Sequence, residues 1–112
     1  MKNTANLRII INKSQQSEFS VKLDAVLSEL GCFKIKETTG GEYWKDKSRA
    51  EITYFFEETE QPLSVWESLL EKTVGTYKVE RDNEFTTLEH FCALEDENGI
   101  FAILMIPNNL IK

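Results

Sequence analysis

The sequence contains few of the residues that usually mark a catalytic or metal site. Among its 112 residues there are two cysteines, Cys32 and Cys92, and one histidine, His90. Their spacing matches no zinc ligand set, and two thiols are too few for a disulfide framework. We therefore expect no bound metal, no cofactor and two free cysteines buried beside Phe33 and Phe91.

His90 and Cys92 are the one pair that suggests catalysis. Two positions apart in a predicted strand, they share a face, which places the imidazole near the thiol. No third group that would orient the histidine can be identified, and nothing indicates an activated thiolate. We interpret both as structural residues and predict that the protein is not an enzyme.

Nucleotide motifs and long apolar segments are also missing. Gly40-Gly41 lacks the Lys-Ser/Thr of a P-loop and the spacing of a dinucleotide fingerprint, so we interpret it as a flexible hairpin loop. The apolar stretch at residues 7–11 is short and is interrupted by Arg8. Neither a signal peptide nor a membrane span is therefore expected, and we predict a protein of the reducing cytoplasm.

The composition is that of an ordinary folded domain. Hydrophobic residues make up 41% of the chain and charged residues 29%, so disorder is not expected. A chain of this length forms one core, and no linker divides it. We expect a single domain over residues 1–112.

Charge is distributed unevenly along the chain. Residues 1–47 carry eight Lys and Arg against six Asp and Glu, whereas residues 48–112 carry five against thirteen. The net charge of −6 therefore comes from the second part. This balance argues against a nucleic-acid partner, since phosphate binding requires Lys and Arg. It is compatible with a basic protein partner.

Hydrophobic patterning predicts two helices and six strands. Apolar residues at helical spacing indicate a first helix that is capped by Ser14 or Ser17 and stopped by Gly31, and a second that runs from Pro62 to Gly75. Apolar runs or alternation predict strands at residues 7–11, 33–36, 50–57, 77–81, 86–95 and 100–106.

The last predicted strand is the most apolar segment of the chain. Residues 100–106 contain no polar residue, which is typical of a central strand. Asn98-Gly99 precedes it and favours a tight hairpin turn, so residues 86–95 should fold back against it. Thr86 and Glu89 could instead cap a helix there, but the hairpin needs a partner strand.

These elements follow the order β-α-β-β-α-β-β-β. The first six match a split β-α-β arrangement. We therefore predict an α+β fold with an antiparallel sheet and two helices on one face. Its core is a ferredoxin-like β-α-β-β-α-β unit, and a C-terminal β-hairpin follows.

Aromatic and acidic side chains are the candidates for a binding surface. Tyr43 and Trp44 fall in a predicted loop, where they either contact a partner or fold back onto the protein's own surface. Acidic residues cluster at predicted strand ends and turns, where they either contact a partner or simply solubilise the surface. They are Glu57, Glu58 and Glu60, then Glu80, Asp82 and Glu84, then Glu95, Asp96 and Glu97.

A small acidic domain with groups such as Glu57-Glu58, Glu80-Arg81-Asp82 and Glu95-Asp96-Glu97 resembles the immunity proteins of bacterial toxin systems, in particular those of contact-dependent growth inhibition. The resemblance lies in size, charge and α+β pattern. It implies a tight one-to-one complex with a cognate toxin, often a basic nuclease, whose active site the immunity protein covers or obstructs.

An alternative interpretation is a small ferredoxin-like enzyme or ligand-binding domain. Its pocket would lie between the sheet and the helices and would be lined by Glu51, Tyr54, His90 or Cys92. A homodimer formed through sheet edges is compatible with either interpretation.

Overall fold

The structure is a computed structural model that describes residues 4–75, 78–81, 87–93 and 100–112, with the backbone alone at 78–81 and 87–93. These residues form six strands and two helices in the order β-α-β-β-α-β-β-β. They are β1 (Asn6–Asn12), α1 (Gln16–Leu30), β2 (Ile35–Tyr43), β3 (Asp46–Phe56), α2 (Leu63–Thr73), β4 (Lys78–Arg81), β5 (Thr87–Ala93) and β6 (Phe101–Pro107). Short 3-10 turns, Lys13–Gln15 and Asn108–Leu110, precede α1 and follow β6.

The six strands form one antiparallel sheet in the order β2-β3-β1-β6-β5-β4. Buried side chains of both helices pack in a single cluster with those of β1, β3 and β6. From Arg49 to Phe56 in β3, half-buried and buried residues alternate, since one face of the strand meets the helices and the other does not. The α+β class, the antiparallel sheet and the two helices on one face are therefore confirmed.

The ferredoxin-like strand order is not found. In that order the strand after the second helix lies beside β1, but here β4 forms an edge and β6 lies beside β1. β6 buries Ala102, Leu104 and Ile106 completely, whereas three of the four residues of β4 are charged. The most apolar strand takes the central position because it gains most from burial.

The predicted partnership of the last two strands is observed in part. β5 pairs with β6 in antiparallel register from Thr87 opposite Pro107 to Ala93 opposite Phe101. A strand at this position, and not the alternative helix, therefore follows β4. The turn predicted at residues 96–99 lies outside the described residues.

Several predicted boundaries differ from the observed ones. The chain enters a 3-10 turn at Lys13 and continues directly into α1, so no serine side chain caps the helix. Gly31 does end α1, with a left-handed φ of 71°. The hairpin loop predicted around Gly40-Gly41 is wrong, because both glycines lie within β2. A Cβ on Gly40 would lie 3.2 Å from the Glu51 carbonyl oxygen, so a larger residue would push the neighbouring strand away by a few tenths of an ångström.

Trp66 joins α2 to the rest of the core. It is fully buried, with its ring centroid 4.7 Å from that of Phe33, which in turn lies 6.0 Å from Phe56. The indole Nε1–H donates a hydrogen bond of 3.2 Å to the carbonyl oxygen of Leu110. The same carbonyl accepts a bond from the Gln61 N–H at 3.0 Å. Trp66 thus fixes the turn after β6 against the start of α2.

Replacing Trp66 with Phe should lower the free energy of unfolding by about 1–3 kcal/mol, because it removes the indole donor and leaves a small cavity. Urea denaturation measures this change. Trp44→Phe is the matched control, since Trp44 is 75% exposed, and it should change stability by no more than about 0.5 kcal/mol. Equal losses from both substitutions would contradict this account.

Candidate functional site

The tip of the β2–β3 hairpin projects beyond the neighbouring strand. β1 pairs with β3 only as far as Asn12 opposite Arg49, while β3 continues back to Asp46. Tyr43 pairs with Asp46, which leaves Trp44 and Lys45 in the turn. The two aromatic residues singled out by sequence therefore lie together at an extremity of the molecule. We call Tyr43 and Trp44 the aromatic tip.

Trp44 does not fold back onto the protein. Its side chain is 75% exposed, and its ring contacts the neighbouring residues Tyr43 and Lys45. The Tyr43 ring lies 6.3 Å from the Trp44 ring, and the Lys45 ammonium lies 5.0 Å from its centroid. The alternative in which Trp44 folds back onto the protein's own surface is therefore not observed, and a large apolar side chain stays exposed to water.

Local hydrogen bonds hold the backbone of the tip. The Asp46 carboxylate accepts bonds from the Ser48 backbone N–H at 2.9 Å and the Ser48 hydroxyl at 2.6 Å. Arg49 lies 3.7 Å from the same carboxylate, and Glu42 pairs with Lys13 at 3.4 Å. The Ser48 hydroxyl bond, followed by the backbone bond, lowers the pKa of Asp46 below its usual range. The turn therefore presents Trp44 from an ordered support.

The first acidic cluster lies in the connection between β3 and α2. Glu57, Glu58 and Glu60 are exposed, and none of the three forms an ion pair with another described residue. The backbone there is held, since the Glu57 N–H donates to the Lys34 carbonyl at 2.8 Å. These three carboxylates, which we call the acidic connection, are available to a cationic partner.

The aromatic tip and the acidic connection do not form one compact patch. They lie at opposite ends of β3, which is 11 residues long. At about 3.3 Å per residue, the two groups are about 35 Å apart. The sequence singled out both groups, but it did not predict this separation, because a loop was predicted at Gly40-Gly41, where β2 in fact continues to Tyr43.

The remaining acidic candidates are distributed elsewhere or lie outside the described residues. Glu80 belongs to β4, at the edge of the sheet opposite β2, where it is in register with Glu89. The candidates outside the described residues are Asp82, Glu84, Glu95, Asp96 and Glu97. The structure therefore brings together no larger acidic surface from the residues that it describes.

The described part of the chain shows neither a reactive-cysteine site nor a metal-binding site. His90 and Cys92 lie in β5, where only the backbone is described. Cys32 is a half-buried free thiol, and burial raises its pKa, which reduces the fraction of reactive thiolate. Across residues 4–75 and 100–112 no group of three His, Cys, Asp or Glu side chains could hold a metal ion.

The pocket predicted around Glu51 and Tyr54 is not formed as expected. Tyr54 faces the helices, with its ring 6.5 Å from that of Phe19, and burial followed by the charge of Asp24 raises its pKa. Glu51 points to the other face of the sheet, where it pairs with Arg8. Because the two positions are an odd number of residues apart on one strand, they cannot line one cavity.

A small cleft does lie between α1 and the sheet. It has a volume of about 110 Å³ and is lined by Ile11, Gln15, Glu18, Phe19, Lys22, Thr73 and Ile100. The Gln15 side-chain oxygen is buried and has no hydrogen-bond partner among the described residues. Sequence reasoning missed this cleft, since nothing in the sequence around the start of α1 distinguishes Gln15 from any other polar residue.

No protein family, curated protein or solved structure matches this chain in the comparisons. Among the described helices, none is both long enough and apolar enough to cross a bilayer. The geometry of the aromatic tip and the acidic connection is therefore the basis for the function proposed below.

The Asp46 turn should weaken in acid. Because the folded-state pKa of Asp46 is lowered, its charged form favours the hairpin above the unfolded-state pKa, and this contribution is lost as the pH falls through the folded-state pKa. An NMR titration of the Ser48 amide measures the midpoint. Ser48→Ala removes the hydroxyl donor and should raise that midpoint toward the usual value of a free aspartate. A midpoint that Ser48→Ala leaves unchanged would contradict the assigned cause.

Proposed function

We propose that this chain is a protein-binding module that acts without catalysis, and that its partner is a basic protein. The observation that carries the proposal is the exposure of Trp44 at the end of an ordered hairpin. Tryptophan is among the residues that contribute most to protein interfaces, because one side chain buries a large area and loses little conformational freedom. Trp44 is therefore the expected anchor.

Charge supports a basic partner. The chain has a net charge of −6, and the acidic connection adds three exposed carboxylates without ion pairs to described residues. Carboxylates at an interface rim accelerate the encounter with a cationic surface and select against acidic ones. Within this class, a cytoplasmic immunity protein that neutralises a cognate toxin by covering its active site is the function we propose.

The geometry constrains how such a partner would bind. A typical interface buries about 800 Å² on each side, which corresponds to a patch about 30 Å across. The aromatic tip and the acidic connection are separated by about the same distance along β3. One partner can therefore contact both only if it lies along the hairpin.

Affinity capture with the tagged protein from its source cells tests this function. We expect one stoichiometric basic protein, retained at low salt and weakened at high salt. Trp44→Ala should weaken binding by about tenfold or more, whereas Glu57→Lys with Glu58→Lys and Glu60→Lys should slow association. The captured protein should lose its own activity at a one-to-one ratio.

Val21→Ala and Glu71→Lys are matched controls for this experiment. Val21 is an apolar side chain that is 69% exposed on α1, and Glu71 is an exposed carboxylate on α2. Neither belongs to the hairpin or to the acidic connection, so neither substitution should change binding. Capture that is insensitive to both the Trp44 and the triple glutamate variants would refute the proposal.

A second candidate function, binding of a small polar molecule, is favoured by the cleft beside Gln15. Its volume of about 110 Å³ is smaller than the roughly 300–1,000 Å³ of ordinary ligand sites, so the ligand would have only a few heavy atoms. A hydrogen-bond donor on that ligand would satisfy the buried Gln15 oxygen.

A thermal-shift screen with small amines, amides and alcohols tests the second candidate. A true ligand should raise Tm in proportion to the logarithm of its concentration, and Gln15→Leu should abolish the rise. Gln16→Leu is the control, since Gln16 is exposed and does not line the cleft. The absence of any Tm rise across the screen would remove this candidate.

A further inference from the structure

The outer edge of β2 is a long, uncovered strand edge. β2 lies at the end of the sheet, and in the described part of the chain it pairs with β3 alone. Residues 36–42 are exposed on both faces, and the strand contains no proline. An edge of this kind presents unpaired N–H and C=O groups to any strand that can pair with it.

Two hydrogen bonds show which way the backbone of β3 points. The Phe56 N–H donates to the carbonyl of Ala5, which precedes β1, and the Glu57 N–H donates to the carbonyl of Lys34, which precedes β2. In an antiparallel strand the N–H and C=O of one residue point to the same side, and the side alternates along the chain. The odd-numbered residues from 51 to 57 therefore face β2.

The register of the β2–β3 pair then identifies the free groups of β2. The partners of the odd-numbered β3 residues point inward, and these are Glu37, Thr39 and Gly41. Residues between them point outward. Thr38, Gly40 and Glu42 consequently direct their N–H and C=O groups away from the sheet.

We propose that β2 pairs in antiparallel register with β2 of a second copy of this chain. The three outward-facing residues are symmetric about Gly40, and register irregularities at Ile35/Glu37 and at Glu42/Tyr43 bound them on either side. A two-fold axis at Gly40 places Gly40 opposite itself and Thr38 opposite Glu42 on both sides. Each outward-pointing backbone N–H of one copy then faces an outward-pointing C=O of the other copy.

The side chains along this register are complementary. Glu42 of one copy lies opposite Thr38 of the other, and Lys36 is its diagonal neighbour on the same face. Glu42 pairs with Lys13 of its own copy and lies near Lys36 of the second copy, so each end of the paired segment brings opposite charges together. No side chain lies at the axis, because Gly40 occupies it.

This pairing does not depend on the proposed toxin partner, since it concerns the isolated chain. Analytical ultracentrifugation of the purified protein over a wide concentration range should show a reversible monomer–dimer equilibrium. Thr38→Pro removes one outward donor per copy and leaves the inward ladder intact, so it should weaken dimerisation by about tenfold or more. Circular dichroism and the fluorescence of the buried Trp66 establish that this variant is folded.

A charge exchange tests the register itself. Glu42→Lys places like charges together at both ends and should weaken dimerisation by about three- to tenfold, and adding Lys36→Glu should restore it. Glu71→Lys, an exposed carboxylate on α2, should have no effect.

The proposal is overturned if the protein stays monomeric at every concentration. We would then expect the β2 edge to pair with a strand from another protein. The proposal is also overturned if a folded Thr38→Pro variant dimerises normally. The same holds if Lys36→Glu does not restore dimerisation to the Glu42→Lys variant.

Discussion

The structure depends on how much of a six-stranded sheet two helices can cover. Strands are about 4.8 Å apart and packed helices about 10 Å apart, so two helices cover roughly four strands. The buried cluster accordingly joins α1 and α2 to β1, β3 and β6. β2 lies beyond this cover, and its residues 36–42 are exposed on both faces. The sheet is therefore wider than the area that the two helices cover. The projecting aromatic tip and the free edge of β2 both follow from this difference in width.

One strand, β3, connects the core with both parts of the candidate site. Its buried residues Ala50, Ile52, Tyr54 and Phe56 fix it against the helices, so its two ends cannot move independently of the sheet. The aromatic tip continues from one end and the acidic connection from the other. A partner that contacts both therefore meets a preformed spacing, which reduces the entropy lost on binding.

The sequence predicted those parts of the fold in which one pattern dominates. The apolar spacing of Phe19, Leu23 and Val26 identified α1, and the unbroken run of β6 indicated a central strand. The prediction of a loop at Gly40 was wrong, because a glycine that packs closely against β3 looks the same in sequence as one in a flexible loop. The strand order and the exposure of Trp44 depend on contacts between distant residues, which local patterns do not encode.

The position of β6 has a consequence for synthesis on the ribosome. β1, β2 and β3 are adjacent in the sheet, so they can pair as soon as they have been translated. β4 and β5 cannot join them until β6 arrives, because β6 separates them from β1. During that interval the edge of β1, with Leu7 and Ile9, remains open in the nascent chain. Pairing with β6 is therefore the step that closes the open edge of β1.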